Sequence, residues 1–100
     1  METKEQVLEK LRNAKLDLQQ RFPIAELALF GSYAKGLSGP DSDIDILYHP
    51  LEDAAFGLKE TFELSNYFHS LFAVNKVDIV NKKYINPIIA LEIEDSLIYV

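Results

Sequence analysis

Apolar residues recur along the first twenty positions with the period of a helix. Between Lys4 and Gln20 they stand at positions 7, 8, 11, 14 and 18, which form one stripe on a helical surface. Thr3 is placed to cap the N-terminus, and Phe22-Pro23 ends the pattern. The chain is therefore predicted to begin with an amphipathic helix that buries one face.

Beyond this helix, short apolar runs alternate with helical patterns, and the segment Lys35–Asp41 has the Gly, Ser, Pro and Asp content of a loop. The predicted strands are Ala25–Phe30, Ile44–Tyr48, Lys76–Val80 and Leu97–Val100. The further predicted helices lie near Ser32–Lys35, from about Phe56 to Phe72, and from Pro87, capped by Asn86, to about Asp95. Strands that alternate with helices predict one small α/β (α+β) domain, with a mixed sheet of about four strands flanked by helices.

The second predicted strand carries two carboxylates among apolar residues. Side chains alternate along a strand, so Asp43 and Asp45 point to one face together with Leu47, whereas Ile44 and Ile46 point to the other. A carboxylate inside an apolar strand costs free energy unless its charge is compensated. Taken alone, such a pair is more typical of the solvated face of an edge strand than of a functional site.

Two further features favour a functional site. Asp78 stands in the centre of the third strand, and three carboxylates that converge from two strands repel one another unless a cation lies among them. Gly31 at the end of the first strand lets the backbone approach a ligand, and Ser32, expected to cap the following helix, offers N–H and hydroxyl donors to phosphate. Together these predict a phosphate cradle facing a carboxylate cluster, which suits phosphoryl or nucleotidyl transfer.

The spacing of these residues resembles a known signature. Gly31-Ser32, ten residues and then Asp43-Ile44-Asp45 are similar to the pattern of the minimal nucleotidyltransferases, the smallest members of the DNA polymerase β-like superfamily. The other positions that resemble this family are Ala34, Gly36, residues 42–47 and Asp78. The resemblance covers nearly the whole chain and implies one nucleotidyltransferase domain over residues 1–100.

The resemblance also implies roles for individual residues. Asp43, Asp45 and Asp78 would be catalytic and would hold two Mg²⁺ ions, while ATP would be the substrate that donates AMP to an acceptor hydroxyl. The implied nucleotide-binding residues are Gly31, Ser32, Lys35 and Ser42. Many relatives are antitoxins paired with an all-helical HEPN ribonuclease toxin, and they attach AMP to a tyrosine of that toxin. A HEPN-type toxin is therefore the implied partner.

One position departs from the family pattern. Relatives often carry arginine where this chain has Tyr33, so we expect Tyr33 to pack and Lys35 to supply the positive charge near phosphate.

The aromatic residues of the third predicted helix stand at helical spacing and are expected to fill the core. They are Phe56, Phe62, Tyr67, Phe68 and Phe72.

Composition and charge limit the compartment and the partner. The 100 residues include no cysteine, which excludes disulfides, and the net charge of −6 argues against nucleic acid as the main partner. No apolar run approaches the roughly 20 residues needed to span a bilayer. The charged N-terminus has no apolar signal-peptide core. We therefore expect a cytoplasmic protein without a membrane partner.

Two other functions fit the sequence. One is an antitoxin that has lost catalysis and acts by binding alone, although three mutually repelling aspartates have no purpose in such a protein. The other is an adenylyltransferase for a small molecule. This length leaves no room for an acceptor-binding domain, so a small-molecule pocket would require a homo-oligomer.

Overall fold

A computed structural model describes residues 2–73 and 76–100. The helices are α1 (Lys4–Arg21), α2 (Gly31–Lys35), α3 (Leu58–Leu71) and α4 (Pro87–Glu94), and the strands are β1 (Ile24–Phe30), β2 (Ile44–Pro50), β3 (Val77–Asn81) and β4 (Ile98–Tyr99). A 3-10 turn, Lys82–Tyr84, follows β3. The predicted order of helices and strands is confirmed. No helix in the described ranges has the length and apolar content that a bilayer crossing requires.

The four strands form one mixed sheet in the order β3-β2-β1-β4. β1 pairs antiparallel with β2 and with β4, whereas β2 and β3 are parallel. A parallel pair needs a crossover connection, and here α3 provides it. This arrangement places the end of β1 beside the starts of β2 and β3, which carry Asp45 and Asp78.

One face of the sheet builds the hydrophobic core. We call it the core face and define it by Leu27, Leu29, Ile44, Ile46 and Tyr48, all of which are buried. The helices covering it contribute Val7, Leu11 and Leu18 from α1 and Leu64, Phe68 and Phe72 from the α3 region. The core face holds the domain together because it removes most of this apolar surface from water.

Local signals at α1 and α2 agree with this packing. The hydroxyl of Thr3 accepts the N–H of Gln6, and the side chain of Gln6 accepts the N–H of Thr3, so the predicted cap is confirmed as a capping box. Tyr33 is fully buried, which confirms that it packs.

One aromatic residue of α3 does not lie in the core. The expectation that Phe62 fills the core is wrong, since its side chain is 67% exposed. It stands two residues before buried Leu64 and therefore points to the other side of α3.

The opposite face of the sheet is covered only in part. We call it the open face and define it by Ala28, Phe30, Asp45, Leu47 and Asp78, which occupy paired positions across β1, β2 and β3 or the same side of β2. α4 lies on this side, where a groove is lined by Leu47, Ala90, Ile93 and Leu97, among others. None of the residues of α4 is buried.

Candidate active site

The sheet brings the predicted carboxylates together on the open face. Asp45 of β2 pairs directly with Asp78 of β3 in the parallel register, so their side chains lie side by side. Asp43 precedes Asp45 by two residues and extends the same side of the strand. The side chains of Asp43 and Asp78 are partly exposed, which leaves the cluster accessible from solvent.

Asp45 shows the electrostatic effect of this arrangement. Burial, followed by the negative charges of Asp78 and Asp43, raises the pKa of Asp45 to about 6, and the positive charge of Lys76 opposes the rise. The two neighbouring carboxylates therefore add to the free-energy cost of charging the partly buried Asp45. An oxygen-ligated cation would lower that cost.

Lys76 is the cation that faces this cluster in the described residues. Its Nζ lies 4.0 Å from Oδ2 of Asp43 and 3.8 Å from Oδ1 of Asp78, while its side chain is 69% exposed. As the side chains stand, no three His, Cys, Asp or Glu groups in ranges 2–73 and 76–100 form a set that could hold one metal ion. The role of Lys76 was missed in the sequence, although it stands directly before β3 and two residues before Asp78, a spacing that places two side chains on one face of an extended chain.

Gly31 joins the cluster to the start of α2. Its φ of +77° lies in the left-handed region, and a Cβ added there would stand 2.3 Å from Oδ2 of Asp45. Backbone conformation and space therefore both require glycine at this position. The backbone of Gly31 therefore lies close to the carboxylate of Asp45, and its approach to a bound ligand stays a prediction.

The other predicted nucleotide-binding residues lie nearby in the chain and make different contacts. Ser32 is the second residue of α2, so the expectation that Ser32 caps the helix is wrong: the N-cap is Phe30, two residues earlier. Lys35 is exposed at the last residue of α2. The hydroxyl of Ser42 accepts the N–H of Gly39 at 2.7 Å and shapes the loop that leads to Asp43.

A buried serine that the sequence pattern did not single out also contacts this region. Ser96, in the connection between α4 and β4, accepts the N–H of Gly31 with its Oγ at 3.3 Å and donates to the carbonyl of Ile93 at 3.0 Å. Serines next to acidic residues after a helix are common in loops. Only the tertiary structure reveals that this hydroxyl reaches the start of α2, 65 residues earlier in the chain.

Comparison with known proteins identifies the class of this fold and site. The chain belongs to the nucleotidyltransferase domain family, whose sequence pattern matches residues 11–100. Over 101 aligned positions it is 39% identical to a Methanocaldococcus jannaschii protein named "Putative protein adenylyltransferase", and the alignment covers 100% of both chains. The protein is therefore a nucleotidyltransferase by family.

Solved structures agree with this assignment. A structure described as a "putative minimal nucleotidyltransferase" is 28% identical and superposes with a TM-score of 0.76, covering 97% of this chain and 95% of the other. A chain from the complex of a tri-AMPylated Shewanella oneidensis HEPN toxin with an MNT antitoxin superposes with a TM-score of 0.65 at 22% identity. That match covers 92% of this chain and 68% of the other, and at this identity it concerns the fold.

Proposed function

We propose that this protein is a protein adenylyltransferase that transfers AMP from ATP to a hydroxyl group of a partner protein. The observation that carries the proposal is the pairing of Asp45 with Asp78 directly beside the backbone of Gly31. Carboxylates and a close backbone approach are the two features that a site for a metal-bound triphosphate needs. We expect such an enzyme to act in the cytoplasm, where ATP is available.

Asp43, Asp45 and Asp78 are the residues that would hold Mg²⁺. Their oxygen donors suit this ion, and burial, followed by the charges of Asp78 and Asp43, raises the pKa of Asp45, an effect that a bound cation would oppose. When bound, Mg²⁺ would offset the charge on the phosphate oxygens and make the α-phosphorus more electrophilic. Lys76 lies within 4.0 Å of two of these carboxylates and would have to move aside.

The remaining site residues would orient the nucleotide. Gly31 leaves room for phosphate beside Asp45, and Ser32 supplies an N–H and a hydroxyl in the first turn of α2, where N–H groups have no partner within the helix. Lys35 and Ser42 complete the proposed nucleotide-binding set. The acceptor oxygen forms a bond to the α-phosphorus, the bond to the β-phosphate oxygen breaks, and pyrophosphate leaves. Asp78 takes the proton of the acceptor hydroxyl.

We further propose that the acceptor is a tyrosine of a HEPN-type toxin. A relative of full length is named as a protein adenylyltransferase, and a chain of the same fold occurs in a complex with an AMPylated HEPN toxin. The acidic composition of this chain, with a net charge of −6, suits a protein acceptor better than a nucleic acid.

Transfer of label from ATP tests this proposal. The wild type, Asp43→Asn/Asp45→Asn and the control Asp41→Asn/Asp53→Asn are each mixed with α-labelled ATP, Mg²⁺ and a HEPN-type toxin protein. Both double variants change the net charge equally, but Asp41 and Asp53 lie in exposed loop positions. We expect the first to lose about 1,000-fold or more in rate and the control to keep the wild-type rate.

Other outcomes would redirect the assignment. Equal transfer by the wild type and Asp43→Asn/Asp45→Asn contradicts the catalytic role of these aspartates. If none of the proteins transfers label and the double variant still neutralises the toxin, the protein acts by binding alone. Label recovered on a small molecule instead of the HEPN protein identifies the acceptor class as wrong.

A further inference from the structure

Ser96 connects the α4–β4 segment to the proposed nucleotide site. We propose that Ser96 is a positioning residue that holds the N–H of Gly31 and so keeps the start of α2 against Asp45. The inference rests on the proposed function, because it assigns Ser96 to the same nucleotide site. It adds a residue outside the glycine-serine and aspartate positions of the family signature.

The hydroxyl of Ser96 has a fixed orientation. The residue is 6% exposed, so its hydroxyl lies in the protein interior. Its Oγ donates its one hydrogen to the carbonyl of Ile93 and accepts the N–H of Gly31. A hydroxyl has one donor and two acceptor lone pairs. Once the hydrogen is committed to Ile93, an acceptor lone pair is directed to Gly31.

Gly31 is the position in α2 where such a restraint matters. Glycine loses more conformational freedom on folding than any other residue, and here it must hold a φ of +77° with its Cα against the carboxylate of Asp45. α2 has five residues, and its N-cap, Phe30, makes no side-chain capping bond. A helix this short is not stable by itself. The bond from Ser96 therefore supplies the partner that the first N–H of α2 would otherwise lack.

A purely structural role for Ser96 predicts different behaviour. In that case its bond to Ile93 would serve only to end α4, and any change that loosens α4 would have the same effect on the site. Asn86 provides the matched comparison, because its Oδ1 caps the other end of α4 by accepting the N–H of Ile88 at 2.8 Å. Asn86→Ala loosens α4 without removing the contact to Gly31.

The experiment compares the wild type, Ser96→Ala and Asn86→Ala in two measurements. Amide hydrogen exchange at Gly31, followed by NMR on the metal-free protein, reports the bond itself. Calorimetric titration with a non-hydrolysable ATP analogue in Mg²⁺ reports the site. We expect faster exchange at Gly31 and about fivefold weaker binding in Ser96→Ala, while Asn86→Ala keeps both values within about twofold of the wild type.

Two results overturn the positioning role while the proposed function stands. One is analogue binding by Ser96→Ala equal to that of the wild type, and the other is an equal loss in Ser96→Ala and Asn86→Ala. A wild type that binds no analogue overturns the proposed function, and the role of Ser96 in a nucleotide site falls with it. Exchange at Gly31 in that case still shows whether the hydroxyl restrains α2.

Discussion

The two faces of the sheet use the same strands for opposite purposes. On the core face, Ile44 and Ile46 of β2 are fully buried against helices. One residue along the same strand, Asp45 faces the open side, next to Asp78, with a pKa raised to about 6. Packing on the first face stabilises the fold, whereas the second face carries charge that destabilises it. The difference shows how one sheet can carry a hydrophobic core on one face and a candidate site on the other.

The separation of stability from chemistry can be tested by substitutions that belong to one face only. A change on the core face should lower the free energy of unfolding. Activity should then fall only in proportion to the fraction of the protein that is folded. A change in the carboxylate cluster should alter charge-dependent behaviour and can even stabilise the metal-free protein, because it removes repulsion. A change at Gly31 should affect both stability and the site, because Gly31 lies close to Asp45 and is the first residue of α2.

The largest stability effect is expected from a helix residue that packs in the core against the core face. Phe68 and Phe62 stand on the same helix, but Phe68 is fully buried and Phe62 is exposed. Phe68→Ala should lower the free energy of unfolding by about 4 kcal/mol, because it removes apolar contacts and leaves a cavity. Phe62→Ala should change it by no more than about 0.5 kcal/mol. Urea unfolding of both variants measures the difference, and equal losses would contradict the assignment of the core face.

A smaller effect is expected where the site meets the backbone, and the chain offers a matched pair of glycines. Gly31 and Gly36 have φ values of +77° and +72°, but a Cβ at Gly36 has no atom within 4 Å, whereas one at Gly31 meets Asp45 at 2.3 Å. Gly36→Ala should cost about 1 kcal/mol from backbone strain alone. Gly31→Ala should cost about 2 kcal/mol or more, because Asp45 must also move.

Two measurements on both glycine variants separate backbone strain from the steric clash with Asp45. They are thermal unfolding and titration with a non-hydrolysable ATP analogue. Only Gly31→Ala should also weaken binding of a non-hydrolysable ATP analogue, since it displaces the carboxylate of Asp45. Equal costs for the two variants, with nucleotide binding intact in both, would mean that the contact between Gly31 and Asp45 has no role in the site.

The sequence predicts the core face better than the contacts across the open face. Periodicity places Ile44, Ile46 and the α1 stripe correctly, because these positions depend only on the repeat of a strand or a helix. The convergence of Asp45 with Asp78 follows from two strands sharing a sheet. The contact of Ser96 with Gly31 depends on how distant segments meet, and no local pattern encodes that.

The smallest effect is expected in the pH dependence of stability, which reports the raised pKa of Asp45 on the open face. The pKa of Asp45 is about 6 in the folded protein and ordinarily 3.8. Between these values the folded state binds more protons than the unfolded state, so this group stabilises the protein at low pH and the contribution is lost as pH rises towards about 6. Asp45→Asn has no such titration. In metal-free buffer it should therefore gain stability relative to the wild type between about pH 4 and pH 6.

We expect that gain to reach about 1 kcal/mol above pH 6, less than the full pKa shift implies because the site is open to solvent. Thermal unfolding in chelating buffer at a series of pH values measures it as a difference of about 5 °C. Lys76→Met provides the opposite control. Removing that positive charge should raise the pKa of Asp45 further. The pH range over which stability falls as Asp45 loses its proton should then extend to higher pH. A pH-independent difference between Asp45→Asn and the wild type would show that folding does not raise the pKa of Asp45, and the charge on the open face would then not oppose folding.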